Sequence, residues 1–186
     1  MQKKDIILVC RRLFAEQGYS GFSMRIFAQT IGSSLSALYY YYPSKDELLK
    51  DMFNTINTNL GVTRSQIAPS VSMNDMLQKR IRFQFEHAEE VVAVLKYYMH
   101  FRTSFPKSEY GYLPEKAHLH IEEVLRFGIE IREIAPLNVP RQSRIITHMI
   151  NGFVLEYFPI TPTPGELDQL THDITKFTMR SLLLDA

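Results

Sequence analysis

The residues whose types and spacing could do chemistry lie between Ser23 and Leu49, in the stretch SMRIFAQTIGSSLSALYYYYPSKDELL. The chemistry is recognition. On a helix from Ser34 to Tyr40, Leu38 turns inward and leaves Ser34, Leu35, Ser36, Ala37 and Tyr40 facing out. These side chains are mostly small or apolar. They permit close approach to base edges, where an apolar contact senses a thymine methyl and a Ser hydroxyl donates or accepts. Guanine is most often read by Arg, and Arg25 is the only candidate nearby. Lys45 opens the next helix, where backbone amides also attract a phosphate. Four successive tyrosines, Tyr39 to Tyr42, point around a helix and cannot all reach a ligand. Tyr41 and Tyr42 are expected to pack, Tyr40 to face nucleic acid, and Tyr39 is divided between the two.

These groups need two short helices and a tight turn to hold them. Ser23 is a good N-cap for a helix over Met24–Thr30. Gly32 stops that helix, because Gly takes a left-handed backbone without penalty. Ser33 or Ser34 can cap the second helix. Ala28 lies four residues before Gly32, and Leu38 six after it. A small residue at the crossing, Gly in the turn and an apolar anchor beyond it make a helix-turn-helix arrangement. Pro43 disfavours helical backbone at Tyr42 and ends the second helix. Ser44 and Glu47 form a capping box for a third.

With Leu13-Phe14-Ala15-Glu16-Gln17-Gly18-Tyr19 before it, this run closely resembles the DNA-binding domain of the tetracycline-repressor (TetR) family. The resemblance covers residues 5–50. Ile7, Leu13, Phe14, Ala15, Gly18, Met24, Arg25, Ala28, Gly32, Leu38, Tyr39, Tyr41, Ser44, Lys45 and Leu48 are of the types the family pattern wants. It departs from the pattern at Ser33, which replaces an apolar residue, and at Ile26 and Leu35, which stand in usually polar places. Those departures bear on base preference. The resemblance implies DNA contact by Arg25, with Tyr40 and Lys45 as phosphate ligands. The expected DNA-binding set is Ser23, Arg25, Ser34, Leu35, Ser36, Ala37, Tyr39, Tyr40 and Lys45.

The resemblance also implies a homodimer through the last two helices, residues 140–158 and 166–184, on a double-stranded DNA operator. It further implies a body whose helices five to eight enclose a pocket for a small hydrophobic or aromatic effector. Phe83, His87, Tyr98, Phe101, Phe127, Met149 and Phe153 are the candidate lining. Taken alone, each such aromatic or Met residue reads more readily as helical core than as pocket lining. His100, His118, His120 and His148 are further polar candidates. His118 and His120 are two apart on a presumed helix, so they diverge. No His-x-x-x-His spacing occurs in residues 51–186, and no metal and no cofactor is expected.

The chain has 186 residues and a net charge of +1. Residues 1–50 hold seven Lys or Arg against four Asp or Glu, and residues 51–186 hold fourteen against sixteen. A basic first quarter on a slightly acidic remainder fits a DNA-reading head on a neutral body. The single cysteine, Cys10, excludes an intrachain disulfide and reads as a small buried apolar residue. No stretch approaches the roughly 20 apolar residues of a membrane span, and the protein is expected to be cytoplasmic, with no membrane partner.

The whole chain reads as all-α, about nine helices. A three-helix head over residues 1–50 precedes an effector-binding and dimerisation domain over 51–186. Helix one spans about Lys4–Gln17, with Ile6, Val9, Cys10, Leu13 and Phe14 on one face and Gly18 at its end. Helix four runs from Ser44 to Thr63 or beyond and links head to body. Helices five, six and seven are placed at Met73–His87, Glu89–Ser104 and Pro114–Ile134, with an irregular connection over 105–113. Helix eight spans Pro140–Phe158. Thr163 and Glu166 form a second capping box for helix nine, which reaches about Leu184.

The functional reading that follows is a ligand-responsive repressor. An architectural DNA binder or an activator without an effector is the alternative. An all-helical enzyme is disfavoured, because the sequence has no Gly-rich phosphate loop, no Gly-x-Ser-x-Gly and no zinc spacing.

Overall fold

A computed structural model describes residues 3–67, 70–102 and 118–184. Every regular element among them is helical: α1 (Lys3–Gly21), α2 (Met24–Thr30), α3 (Leu35–Tyr41), α4 (Lys45–Ser65), α5 (Met73–Glu86), α6 (Ala88–Phe101), α7 (Leu119–Glu130), α8 (Val139–Tyr157) and α9 (Pro164–Leu184). They form two compact units. The first holds residues 1–65 and 89–110, and the second holds 66–88 and 111–186. Neither unit is continuous in sequence, since α6 joins the first.

In the first unit, α1 packs on α4 and α2 on α3. The core is Phe14, Phe27, Leu48, Leu49 and Met52, all fully buried, closed by Phe22 edge-on to Phe14. Each such side chain contributes about 1.5–3 kcal/mol of burial. Cys10 is also fully buried, and burial pushes its thiol well above its ordinary value. The apolar face of α1 runs through Ile7, Cys10, Phe14 and Ala15, while Ile6, Val9 and Leu13 sit half-buried at its edge. Gly18 breaks α1 as expected, with φ 65° and ψ −172°, but one more turn follows it to Gly21.

The turn between α2 and α3 closes by a Schellman pattern. Ser33 N donates to Ala28 O at 2.9 Å and Gly32 N to Gln29 O at 3.0 Å. Gly32 has φ 65°, and a Cβ there would meet nothing, so conformation and not space requires Gly. Ser34 Oγ accepts from Ala37 N at 3.1 Å and Ser44 Oγ from Glu47 N at 3.1 Å, which start α3 and α4.

In the second unit α5 is central and packs against α7, α8 and α9. Ser72 Oγ and Glu133 Oε2 accept from Asp75 N and Met73 N at 3.1 and 2.9 Å, satisfying the α5 N-terminus. Gly128 on α7 lies so close to Met73 that a Cβ would collide with its sulfur. The Thr163–Glu166 box forms fully: Thr163 N donates to Glu166 Oε2 at 2.8 Å and Glu166 N to Thr163 Oγ1 at 3.4 Å.

The ends of helices seven and five differ from expectation. Helix seven ends at Glu130, not Ile134, because Arg132 turns left-handed at φ 61° and Glu133 N bonds back to Gly128 O at 2.8 Å. Its expected start at Pro114 lies outside the described residues, as do the connection over 105–113 and the last two residues expected of helix six. Helix five stops at Glu86 instead of His87. No helix among the described residues is long and apolar enough to cross a membrane.

Candidate nucleic-acid interface

The head presents one exposed helix face. Leu38 is 2% exposed and fixes α3 on α2, whose Ala28 is also 2% exposed. The small residue permits close approach, and the buried Leu fixes the roll of α3. Ser34, Ser36, Ala37 and Tyr40 are consequently exposed, while Leu35 is half-buried. The Ser34 oxygen already accepts from Ala37 N, so its O–H remains free to donate outward. Arg25 is exposed on the first turn of α2, next to exposed Ile26, and Ser23 is half-buried as the α2 cap. The face therefore combines small groups, hydroxyls and one guanidinium.

The four tyrosines separate. Tyr39 and Tyr40 are exposed. Tyr42 is buried, and its hydroxyl donates to Asp51 Oδ2 at 2.8 Å. Burial, then that bond, pushes its phenol well above the ordinary value. The expectation that Tyr41 packs is corrected: it is 70% exposed, with only its neighbour Tyr40 edge-on at 5.3 Å. The rotation of 100° per residue around α3 turns 38 and 42 inward together and leaves 39, 40 and 41 out.

Lys45 is directed differently from the others. Its ammonium donates to the backbone carbonyl of Tyr19 and lies over the Tyr19 ring. Burial there lowers its pKa from the ordinary value. Tyr19 in turn donates from its hydroxyl to Asp46 Oδ1 at 2.7 Å and stacks on His100, with centroids 3.6 Å apart.

Sequence reading missed how α6 holds α1 within the first unit. Arg11 reaches Glu89 Oε1 through Nε and Glu90 Oε1 through Nη1, both at 2.6 Å. Lys96 Nζ donates to Ala15 O at 2.5 Å and Glu16 O at 3.2 Å, satisfying carbonyls where Gly18 breaks α1. Nothing local in the sequence connects residues 78 to 81 positions apart.

The seven candidate effector residues fall in both units. Tyr98 and Phe101 belong to the first, where Phe101 is buried against Tyr97 and Tyr19, a core position. Phe83, His87, Phe127, Met149 and Phe153 belong to the second. Among these, Phe83 is buried with its ring 4.4 Å from His87, and Phe127, Met149 and Phe153 are half-buried. His118 and His120 diverge, one toward Glu122 at 3.4 Å and the other toward Glu123 at 3.8 Å.

Residues 6–52 match the family described as bacterial regulatory proteins, tetR family. Over 48 residues the chain is 35% identical to the HTH-type transcriptional repressor AcnR of Corynebacterium diphtheriae, a match covering 26% of this chain and 25% of that protein. The match thus spans about a quarter of the curated relative's length. Solved structures extend the likeness to the whole fold. The TetR family regulator PfmR from Thermus thermophilus superposes with a TM-score of 0.74 at 20% identity, covering 94% of this chain and 97% of that one. The regulator FadR from Bacillus subtilis, solved in complex with stearoyl-CoA, gives 0.72 at 17% identity over 96% and 98%. KstR2 of Mycobacterium tuberculosis, a ketosteroid transcriptional regulator, gives 0.73 at 17% identity over 97% and 94%. The head is thus similar in sequence to the tetR family of bacterial regulatory proteins, and the chain as a whole shares the fold of solved TetR-family regulators.

Proposed function

We propose that the protein is a transcriptional repressor that binds a pseudo-palindromic operator as a homodimer and is released by a small hydrophobic or aromatic effector. The observation that carries the reading is the α3 face, where Ser36, Ala37 and Tyr40 are exposed around the inward anchor Leu38. A face of that kind enters a major groove, and a dimer sets two of them about 34–36 Å apart, one turn of duplex. Lys45 and Tyr40 would hold phosphates and fix register, while Arg25, Leu35 and the serines would read base edges. Repressor action is supported by the curated relative, itself a repressor.

Exposed apolar side chains support dimer formation through α8 and α9. Ile145 and Leu155 on α8 and Phe177 and Leu183 on α9 are all exposed. Aromatic and Met residues in the second unit support an effector with an apolar body, and FadR supplies a precedent for a lipid thioester ligand on this fold. An effector that binds the DNA-free form more tightly than the DNA-bound form lowers operator affinity by the ratio of the two affinities, and DNA lowers effector affinity equally.

The test is an anisotropy titration on the inverted repeats flanking the gene. Expected is saturation at one dimer per repeat, weakened by a hydrophobic ligand. Equal affinity for operator and random duplex would refute sequence-specific repression.

A further inference from the structure

Arg80 on α5 is half-buried and under-partnered. Its side chain is only 14% exposed. Nη2 lies 3.3 Å from Glu123 Oε2 on α7, and that carboxylate is 57% exposed and also 3.8 Å from His120 Nδ1. Nε and Nη1 are buried with no hydrogen-bond partner. Nε carries one N–H and Nη1 two, so three donors of a permanent cation lack an acceptor.

That arrangement is costly in the free protein. Arg cannot shed its charge as a buried Lys can. A largely solvated carboxylate compensates a buried guanidinium only weakly. On sequence spacing, Arg80 follows Met73 and Leu77 along the apolar side of α5, where Leu or Met would cost nothing. The other unmet buried polar atoms among the described residues are in the same unit. They are Thr147 Oγ1 on α8 and Thr171 Oγ1 on α9, and both helices pack on α5. Buried polar groups without partners are uncommon, and each calls for a reason.

We propose that Arg80 anchors the anionic group, a carboxylate or phosphate, of an otherwise apolar small molecule bound in the second unit. The inference rests on the reading that this unit takes a hydrophobic effector, and it specifies that the effector is an organic anion. A planar guanidinium forms short, charge-assisted bonds to either oxyanion. Shielded from water, they discriminate strongly against a neutral analogue that leaves the donors unmet.

The experiment measures binding to the DNA-free full-length chain by calorimetry and thermal shift, with dodecanoate, dodecyl phosphate and dodecanol as probes. At least one anion is expected to bind about tenfold or more tighter than the alcohol. Which anion does so distinguishes a carboxylate from a phosphate ligand. Arg80→Met is expected to abolish that discrimination while raising the melting temperature of the ligand-free protein, because it removes an under-compensated charge. Arg80→Gln repeats the test should the Met variant not fold. Equal binding of acid and alcohol, which a guanidinium merely solvated by water would give, overturns the proposal. So does discrimination that survives both substitutions, or a ligand-free protein that both substitutions destabilise. Binding is read without DNA, so a chain that takes the anion but no operator would refute the repressor reading and leave this one standing.

Discussion

The ammonium of Lys45 lies 3.8 Å from the centre of the Tyr19 ring and donates to that residue's own carbonyl oxygen. One side chain thus ties the start of α4 to the last turn of α1. It has three donors, and the carbonyl takes one, so two remain for a phosphate. Lys45→Ala is expected to cost the free protein about 1–2 kcal/mol through loss of the charged hydrogen bond and the cation–π contact. It should also reduce the slope of log K against log salt by about 0.9 per half-site. Urea unfolding and operator titrations at several salt concentrations read the two effects. A stability loss with an unchanged slope would assign Lys45 to packing alone.

Arg25 should behave differently. Its side chain is exposed and reaches outward from the first turn of α2. If it reads a guanine, Arg25→Ala costs about 1–3 kcal/mol per half-site and relaxes preference at one base pair. Binding to a panel of single-base operator variants is the measurement. A uniform loss across the panel would make Arg25 a phosphate ligand. Leu35 is half-buried, so Leu35→Ala combines a smaller loss of thymine preference with some loss of head packing.

The proposed dimer face can be separated from the core of the second unit. Phe177 is 63% exposed and Ile146 is 4% exposed. Phe177→Asp is expected to give a folded monomer with weakened operator binding. Ile146→Asp places a charge in the monomer's own interior and should unfold the unit. Sedimentation with circular dichroism distinguishes the two, and a folded Phe177→Asp dimer would move the interface elsewhere.

Arg132 holds a left-handed backbone at φ 61° where α7 ends, the position that Gly fills in the α2 turn. Its left-handed conformation costs roughly 1 kcal/mol. Arg132→Gly is therefore expected to stabilise the protein by at most about 0.5 kcal/mol, after the added entropy of the unfolded chain is counted. The denaturation midpoint in urea reads it, and a lowered midpoint would show that the Arg132 side chain contributes more than its backbone costs.

The Thr163–Glu166 box sets a pH dependence. The backbone N–H of Thr163, and then its hydroxyl, lower the pKa of Glu166 below the ordinary carboxylate value. A depressed folded-state pKa contributes stability above the unfolded value and loses it as pH falls through the folded value. Glu166→Gln should therefore destabilise at neutral pH, and its difference from the unsubstituted chain should shrink in acid. A difference that stays constant across the acid range would mean that the carboxylate's charge is irrelevant to the cap.

The starts and stops of the helices were legible in the sequence because their causes are local. Ser34 reaches Ala37, Ser72 reaches Asp75, Thr163 reaches Glu166, and Gly32 bends the chain within its own turn. Interactions three to five residues long leave a signature in any window of that size. The outward face of α3 followed for the same reason, once Leu38 was fixed as the inward residue. Tyr41 and Tyr42 show where that reasoning stops. Composition alone made both packing candidates, and only the rotation set by the α2–α3 crossing buries one and exposes the other. Apolar periodicity also records that a helix has a buried side without naming its partner. Only the tertiary structure brings α6 to α1, so that Glu89 and Glu90 meet Arg11 across 78 and 79 positions. It alone turns Lys45 toward Tyr19 and leaves three donors of Arg80 inside α5's packed neighbourhood. A charged residue in an amphipathic helix reads as solvated until the neighbouring helices are in place, because burial belongs to the assembled unit and not to the segment.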